Sequence, residues 1–282
     1  MKNILLPTDF SENSWNAIKY AVKFFEDDKC HFYLLHVNRV SDNYMNGSPY
    51  IVSDEVLEDV YIKPSKHQLR SFLKRIATEL TPNINHKFHT LFEYNFFIDS
   101  IRKHVEEKHI DLIVMGTKGS DGLRKIIMGS NTGDVIKKVK CNTLTVPEKA
   151  TLTNIKEIAF PSDFSLTYNF QILQPLLDIL EHNKASLRVL HISKNKTSLN
   201  SEQLKNRELL QDYFSNIESS FHYLTNRKLE DAVQCFIDSR DINMICMVAK
   251  NLNYFQQILF HSQIEELSYH LKIPFLVLHE TP

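Results

Sequence analysis

Glycine is scarce in this chain and is concentrated in one segment, which is the clearest sign of possible chemistry. Five of the six glycines lie between Gly116 and Gly133, and the residues after Gly133 contain none. Glycine is favoured where the backbone adopts a positive φ or where a ligand approaches it closely. This concentration therefore predicts that the segment binds a ligand.

The glycine segment lies between a strand pattern and a helix pattern. Residues 110–115 are mostly apolar, as is typical of a short strand buried on both faces. Ser130, Asn131 and Thr132 precede apolar residues at helical spacing, and such residues are preferred at helix N-termini. Free N–H groups and the positive helix end would then favour an anion, usually phosphate. The alternative is a turn-rich connection without a ligand.

The spacing of the glycines excludes two common phosphate-binding motifs. The chain contains no G-x-x-x-x-G-K-[ST], and Gly116, Gly119 and Gly122 do not match the dinucleotide pattern G-x-G-x-x-G. The glycine segment instead contains the pattern G-x2-G-x9-G-[ST], which is formed by Gly116, Gly119, Gly129 and Ser130. Here the sequence resembles the universal stress protein family, whose nucleotide-binding members carry this spacing after their fourth strand.

A second candidate segment follows the first strand pattern. Pro7, Thr8 and Asp9 come directly before an amphipathic helix for which Ser11 is a potential N-cap. Ligands of open parallel sheets lie outside the carboxyl ends of the strands, so Asp9 and Gly116 would face one crevice if their strands are neighbours. From the residues alone, Asp9 is equally a turn or capping aspartate. The resemblance favours binding, because family members place an aspartate beside the adenosine.

The chain contains an internal duplication. The sequence PTDFS at residues 7–11 recurs as PSDFS at residues 161–165, in each case after an apolar strand pattern and before a helix pattern. The correspondence continues to the last strand patterns, at residues 142–146 and 274–278. A repeat of this length indicates tandem domains rather than a solenoid.

The duplication predicts two α/β domains, residues 1–148 and 155–282, joined by a linker at residues 149–154. Strands that alternate with helices favour a parallel sheet with right-handed crossovers. The resemblance implies a Rossmann-like fold of the adenine-nucleotide-binding type in each half. We expect five strands per domain, which in the first lie near residues 2–6, 31–37, 86–93, 111–115 and 142–146.

The second copy has lost the glycine motif. Val248 stands at the position of Gly116 and Asn251 at the position of Gly119, although Asp163 is retained. A Cβ disfavours positive φ and fills the space that a phosphate would need. We therefore expect the second half to keep the fold and to lack this mode of phosphate binding.

Residues 42–63 form the least regular part of the sequence. Because Pro64 is expected to break any helix that would begin there, the pattern predicts a surface loop. The alternative is a cover over the nucleotide crevice, since the segment follows the second strand.

Composition excludes other classes of function. The net charge of -1 gives no attraction to nucleic acid or membranes, and no apolar stretch has membrane-spanning length. The N-terminus has no signal-peptide core, and the four cysteines form no CxxC pair. These features predict a cytoplasmic protein with reduced thiols and without nucleic-acid or membrane partners.

The resemblance implies an adenine nucleotide, ATP or else ADP or AMP, with magnesium carried on its phosphates. Carried over by position, the contacting residues are Pro7, Thr8 and Asp9 by the adenosine, Val37 by the base, Gly116 by the ribose, and Gly119, Gly129, Ser130, Asn131 and Thr132 around the phosphates. The family also pairs units through their last strands, which implies intramolecular pairing of the two halves and leaves a homodimer open.

The sequence offers no residue for a catalytic role. The H-x-G-H and S-G-G-x-D-S signatures of related adenylylating folds are absent, and the thirteen histidines show no metal-ligand spacing. Three functions stay open: an ATP-binding regulatory stress-response protein with one intact site in its N-terminal half, a non-catalytic interaction scaffold that binds another ligand or none, and a slow ATPase or self-phosphorylating protein.

Overall fold

A computed structural model describes seven stretches of the chain, which are residues 1–38, 58–117, 130–151, 154–193, 198–225, 229–250 and 273–280. These described residues divide into two compact units, the first ending at Glu148 and the second beginning at Lys149. Each unit places helices around a parallel sheet, which confirms the predicted α/β fold. None of the helices in the described stretches is both long and apolar enough to cross a bilayer.

The first unit contains five parallel strands with connecting helices. Its elements are β1 (Lys2–Pro7), α1 (Glu12–Phe24), β2 (Cys30–Asn38), a π-helical turn (Glu58–Ile62), α2 (Lys63–Glu79), β3 (His86–Tyr94), α3 (Phe97–Glu107), β4 (Leu112–Gly116), α4 (Ser130–Lys138) and β5 (Thr143–Val146). The strand order is β3-β2-β1-β4-β5. The five strand patterns are therefore confirmed, and the order reverses between β1 and β4.

Strand β1 and helix α1 are packed into the core of the first unit. Their packing holds in place the carboxyl end of β1, which carries Pro7 and is followed by Thr8 and Asp9. Ile4, Leu5 and Leu6 of β1 are fully buried, as expected for a strand covered on both faces. Ser11 caps α1, since its side chain accepts a hydrogen bond from the N–H of Ser14. Trp15 is also buried in α1, and each such large apolar side chain contributes about 1.5–3 kcal/mol to folding.

The prediction that Pro64 prevents a helix was wrong. Pro64 lies in the first turn of α2. The N–H groups of that turn have no partner within the helix, so a proline, which lacks an N–H, loses no hydrogen bond there. The π-helical turn leads directly into this helix, so the end of the segment 42–63 is not an irregular loop. The preceding residues 39–57 lie outside the described residues.

The second unit repeats the arrangement of the first. Its elements are β6 (Glu157–Pro161), α5 (Phe170–Asn183), β7 (Ser186–Ser193), α6 (Ser201–Tyr213), β8 (Ser219–Thr225), α7 (Leu229–Ser239), β9 (Met244–Val248) and β10 (Phe275–Leu278). The strand order within it is β10-β9-β6-β7-β8. The duplication extends to backbone detail, since Phe10 and Phe164 both have a positive φ, of 63° and 56°.

Candidate functional site

The two predicted site segments meet at one edge of the first sheet. Strands β1 and β4 are hydrogen-bonded neighbours in parallel, with Ile4 opposite Leu112 and Leu5 opposite Ile113. Their carboxyl ends, which carry Asp9 and Gly116, therefore lie side by side. This is also where the strand order reverses, the place at which open α/β sheets bind their ligands.

Gly116 is required here by packing rather than by backbone conformation. Its φ is outside the left-handed region, and a Cβ at this position would lie 2.8 Å from Cγ of Asn13, with Nδ2 closer still. Asn13 is a buried residue in the first turn of α1. The glycine therefore lets α1 approach the end of β4.

The sequence did not predict the contact between Asn13 and Gly116. The second copy has Thr167 at the position of Asn13 and Val248 at the position of Gly116. Thr167, however, is exposed and precedes α5, which begins at Phe170, so the second unit has no counterpart to the contact between Asn13 and the end of β4.

The start of α4 is fastened to the end of β4. The hydroxyl of Thr132 donates a 2.8 Å hydrogen bond to the carbonyl oxygen of Gly116, and Thr132 is only 2% exposed. The hydroxyl proton of Thr132 is thus engaged within the protein. Asn131 lies beside it and is half-buried. The first backbone N–H groups of a helix have no intrahelical partner, so this end of α4 remains suited to an anion.

Part of the predicted phosphate loop is not described. Gly119 and Gly129 lie outside the described residues, as does Lys118, and Ser130 is placed only as the first residue of α4. Their proposed contacts stay predictions.

Asp9 makes the turn that its position alone suggested. Its Oδ1 accepts hydrogen bonds from the backbone N–H of Ser11, at 3.1 Å, and from the Ser11 hydroxyl, at 2.6 Å. Asp163 makes the same two bonds with Ser165, at 3.0 and 2.7 Å. The turn is thus a property of both copies, and the contact of Asp9 with a ligand stays a prediction.

The remaining adenosine candidates are largely engaged in the fold. Pro7 is buried, and the Thr8 hydroxyl lies 2.9 Å from that of Ser14 and accepts a hydrogen bond from the N–H of Phe10. Val37 is half-buried and packs against the apolar cluster on the face of the sheet that includes Leu35. The contacts of Pro7, Thr8 and Val37 with an adenosine stay predictions.

His36 links the first loop to the segment after β2, a connection that the sequence did not predict. Its Nδ1 donates a 2.8 Å hydrogen bond to the Thr8 carbonyl, and its Nε2 lies 2.9 Å from Oδ1 of Asn38. The Asn38 amide donates in turn to the Tyr61 carbonyl and the Ser65 hydroxyl. A continuous polar chain therefore joins the PTDFS turn to the start of α2.

The described stretches hold no group of three or more histidine, cysteine, aspartate or glutamate side chains arranged for a metal ion. The chemistry of this edge thus comes from backbone N–H groups, small hydroxyl residues and one exposed aspartate. Such a set is suited to binding an anion and assigns no side chain to covalent catalysis.

Comparison with known proteins identifies the family. The model for the universal stress protein family matches residues 1–147. A universal stress protein of Methanocaldococcus jannaschii is 32% identical over 145 residues, which cover 51% of this chain and 81% of that protein. A second universal stress protein of the same organism is 29% identical over 157 residues, covering 52% of this chain and 96% of that protein.

The fold similarity extends over both halves. The crystal structure of a universal stress protein from Archaeoglobus fulgidus matches 99% of this chain and 98% of its own, with a TM-score of 0.72 and 16% identity. At that identity the match shows the fold alone. The family model, which matches residues 1–147 of the 282, shows that this chain belongs to the universal stress protein family.

Proposed function

We propose that this chain is an ATP-binding regulatory stress-response protein with one nucleotide site, located in the N-terminal unit. One observation carries the proposal. The carboxyl ends of β1 and β4 lie side by side where the strand order reverses, and Thr132 fastens the start of α4 to Gly116 at that edge. Backbone N–H groups of a helix N-terminus beside a sheet crevice form an arrangement that favours phosphate.

The residues present fit a nucleotide that brings its own magnesium. The phosphates would be held by the start of α4, from Ser130 to Thr132, together with Gly119 and Gly129. The adenosine would lie by Pro7, Thr8 and Asp9, with Val37 beside the base and Gly116 beside the ribose. Since the described residues include no carboxylate cluster, the metal ion would be bound mainly by phosphate oxygens.

The second unit supports a count of one site per chain. Val248 ends β9 where Gly116 ends β4, and its side chain is only 4% exposed. The strand pairing beside it is the same, because the N–H of Ala249 donates to the Leu278 carbonyl just as that of Thr117 donates to the Val146 carbonyl. The strand pairing at this edge is therefore retained, whereas the side chain differs and the helix after PSDFS begins only at Phe170, while α1 begins directly after PTDFS at Glu12.

The proposal concerns binding and assigns no residue to hydrolysis. It requires neither pairing of the two halves nor a homodimer. Regulation would follow from differences between the nucleotide-bound and nucleotide-free forms, since a ligand shifts a conformational equilibrium only through its different affinity for the two states.

The experiment is a calorimetric titration of the nucleotide-stripped chain with Mg-ATP, followed by ADP and AMP. Asp9→Asn is compared with Asp163→Asn, a matched control because both carboxylates make the same turn. We expect one ATP per chain, about tenfold weaker binding for Asp9→Asn, equivalent to about 1.4 kcal/mol, and unchanged binding for Asp163→Asn. Gly119→Val should abolish binding.

Two results would overturn the proposal. A folded chain that binds no nucleotide would leave the interaction scaffold as the function of this fold. Equal weakening by Asp9→Asn and Asp163→Asn would place a site in each half. Phosphate released from ATP, and reduced by Asp9→Asn, would instead identify a slow ATPase.

A further inference from the structure

A serine and a histidine of the second unit form a hydrogen-bonded pair on strand β8. Oγ of Ser220 lies 2.8 Å from Nε2 of His222, and both residues are half-buried. The two residues are two positions apart on a strand, so their side chains lie on the same face of the sheet. A hydroxyl and an imidazole within hydrogen-bond reach form the arrangement of a nucleophile and its general base.

Arg188 of the neighbouring strand β7 contacts the same serine oxygen. It stands opposite Ser220 in the parallel ladder, and its Nη1 donates a 3.0 Å hydrogen bond to Ser220 Oγ. A guanidinium can only donate, so the serine oxygen accepts at this contact and the hydroxyl hydrogen is left for Nε2 of His222. The proton of Ser220 is therefore directed toward a base, as activation of a nucleophile requires.

Two carboxylates hold the guanidinium of Arg188 in a fixed position. Its Nε and Nη2 donate to the two carboxylate oxygens of Glu157, at 2.5 and 2.9 Å, and Nη2 also donates to Glu218 at 3.0 Å. A bidentate pair of this kind fixes the orientation of the guanidinium as well as its place. The remaining Nη1 would therefore be positioned to offset negative charge that develops near Ser220 Oγ.

The surroundings of His222 keep its imidazole neutral near pH 7. Burial lowers the pKa of His222 below its ordinary value of 6.5, and the positive charges of Arg240 and Arg188 act in the same direction, whereas Glu157 opposes them. The imidazole ring also lies 5.1 Å from the ring of Phe236 on α7. A neutral imidazole has one nitrogen that accepts a hydrogen bond, so it can take the serine proton.

The pair is specific to the second unit and is separate from the nucleotide position. In the first unit the strand ladders place His89 at the position of Ser220 and Leu91 at the position of His222, so neither replacement carries a hydroxyl. Strand β8 begins at Ser219, which places Ser220 near the amino end of the strand. The nucleotide position, in contrast, lies at the carboxyl ends of the strands.

We propose that Ser220 is the nucleophile of an acyl-transfer site that takes a small carboxylic ester. Oγ of Ser220 bonds to the carbonyl carbon of the ester while its proton passes to Nε2 of His222. The bond from that carbon to the leaving oxygen then breaks, and the leaving alcohol takes the proton from His222. Water attacks the resulting acyl-serine with the same help from His222, which releases the carboxylic acid and returns a proton to Ser220.

Strand β8 is the last strand in the order of the described sheet, so the ester would approach Ser220 from the outer side of this strand. The site acts independently of nucleotide binding in the first unit.

The test treats the full chain with an alkyl fluorophosphonate and with p-nitrophenyl acetate, two reagents that react with activated serines. We expect the fluorophosphonate to label Ser220 with loss of fluoride, which mass spectrometry of the peptides would locate. Ser220→Ala should abolish this label and the initial burst of p-nitrophenol. His222→Gln should slow both reactions by about a hundredfold, a typical contribution of a general base.

A neighbouring serine provides the matched control. Ser219 lies on the opposite face of β8, so Ser219→Ala should react as the unaltered chain does. Lowering the pH below 6.5 should slow labelling of the folded chain, because protonated His222 cannot accept the serine proton, a dependence that a merely structural hydrogen bond would not produce. Absence of label at Ser220 in the folded chain would overturn the proposal, as would equally fast labelling of the His222→Gln chain.

Discussion

Replacing Gly116 by alanine tests why a glycine ends β4. The added Cβ would lie 2.8 Å from Cγ and 3.0 Å from Oδ1 of Asn13, whereas ordinary van der Waals contacts begin near 3.4 Å. The three nearest atoms all belong to this one buried side chain. Overpacking of this kind costs about 1–3 kcal/mol, partly offset by the lower entropy of alanine in the unfolded chain. We expect Gly116→Ala to lose about 1–2 kcal/mol.

The cost should depend on Asn13. In an Asn13→Ala background the three closest atoms are gone, so Gly116→Ala should cost close to nothing there. The coupling between the two substitutions is then expected to be about 1–2 kcal/mol, within the range for residues in contact.

Trp15, the single tryptophan, provides the assay because it is buried in the same helix as Asn13. Its fluorescence in a urea titration reports unfolding of the first unit for the four proteins of the cycle. An equal loss of stability from Gly116→Ala in both backgrounds would refute the packing argument.

The same four proteins separate packing from ligand contact at Gly116. If the glycine is needed only to accommodate Asn13, the double variant should bind Mg-ATP as the Asn13→Ala chain does. If a Cβ at position 116 also blocks the nucleotide, binding should fall in both chains that carry Gly116→Ala, whatever their stability. Measurement of both quantities distinguishes a structural glycine from one that a ligand also requires.

Three further predictions concern stability and reactivity. Burial lowers the pKa of His279 from 6.5 to about 4, so between those pH values the unfolded chain binds a proton that the folded chain does not, which costs about 3 kcal/mol. Urea titrations followed by circular dichroism should show a weaker loss of stability on acidification for His279→Gln, and an equal loss would contradict this assignment. Ellman's reagent should modify Cys235 quickly and the other three cysteines only after unfolding, because those are buried; two fast thiols would be inconsistent with the structure. Arg188→Met removes both hydrogen bonds to the partly buried Glu157 carboxylate and should cost about 1–3 kcal/mol in urea, whereas a change below about 0.5 kcal/mol would show that the pair contributes little.

Local patterns made most of the fold predictable from the sequence. A buried strand is recognised as a short apolar run, and the cap at Ser11 is recognised from the residue type at one position. Both features can therefore be predicted from a few neighbouring residues. The duplication added a second instance of each pattern and hence the repeated α/β arrangement. The family resemblance connected these elements to a strand order and a crevice.

What the sequence did not reveal depends on contacts between distant segments. Nothing near Gly116 shows that Asn13 will pack against it, because the two residues meet only when α1 folds over β4. Likewise, the Thr132 hydroxyl looked available for phosphate until its bond to the Gly116 carbonyl was seen. Pro64 was misjudged because its effect depends on where the helix begins: it is tolerated in the first turn and disruptive further along.

Comparison of the two copies distinguishes residues that the fold requires from residues that a ligand would require. Features present in both copies, such as the Asp9 and Asp163 turns, are explained by the fold and carry no information about binding. The informative positions are those at which the copies differ on the same backbone. The exchange of Gly116 for Val248 lies at the edge proposed for the nucleotide, where both copies have the same strand pairing.

The difference between Tyr94 and Thr225 follows the same logic in the opposite direction, because here the second copy has the smaller residue. In the first unit the ring of Tyr94 packs 5.7 Å from that of Tyr61, whereas Thr225 has no ring with which to make such a contact. The exchange therefore marks a second position at which the two units share their strand pairing and differ in side-chain size.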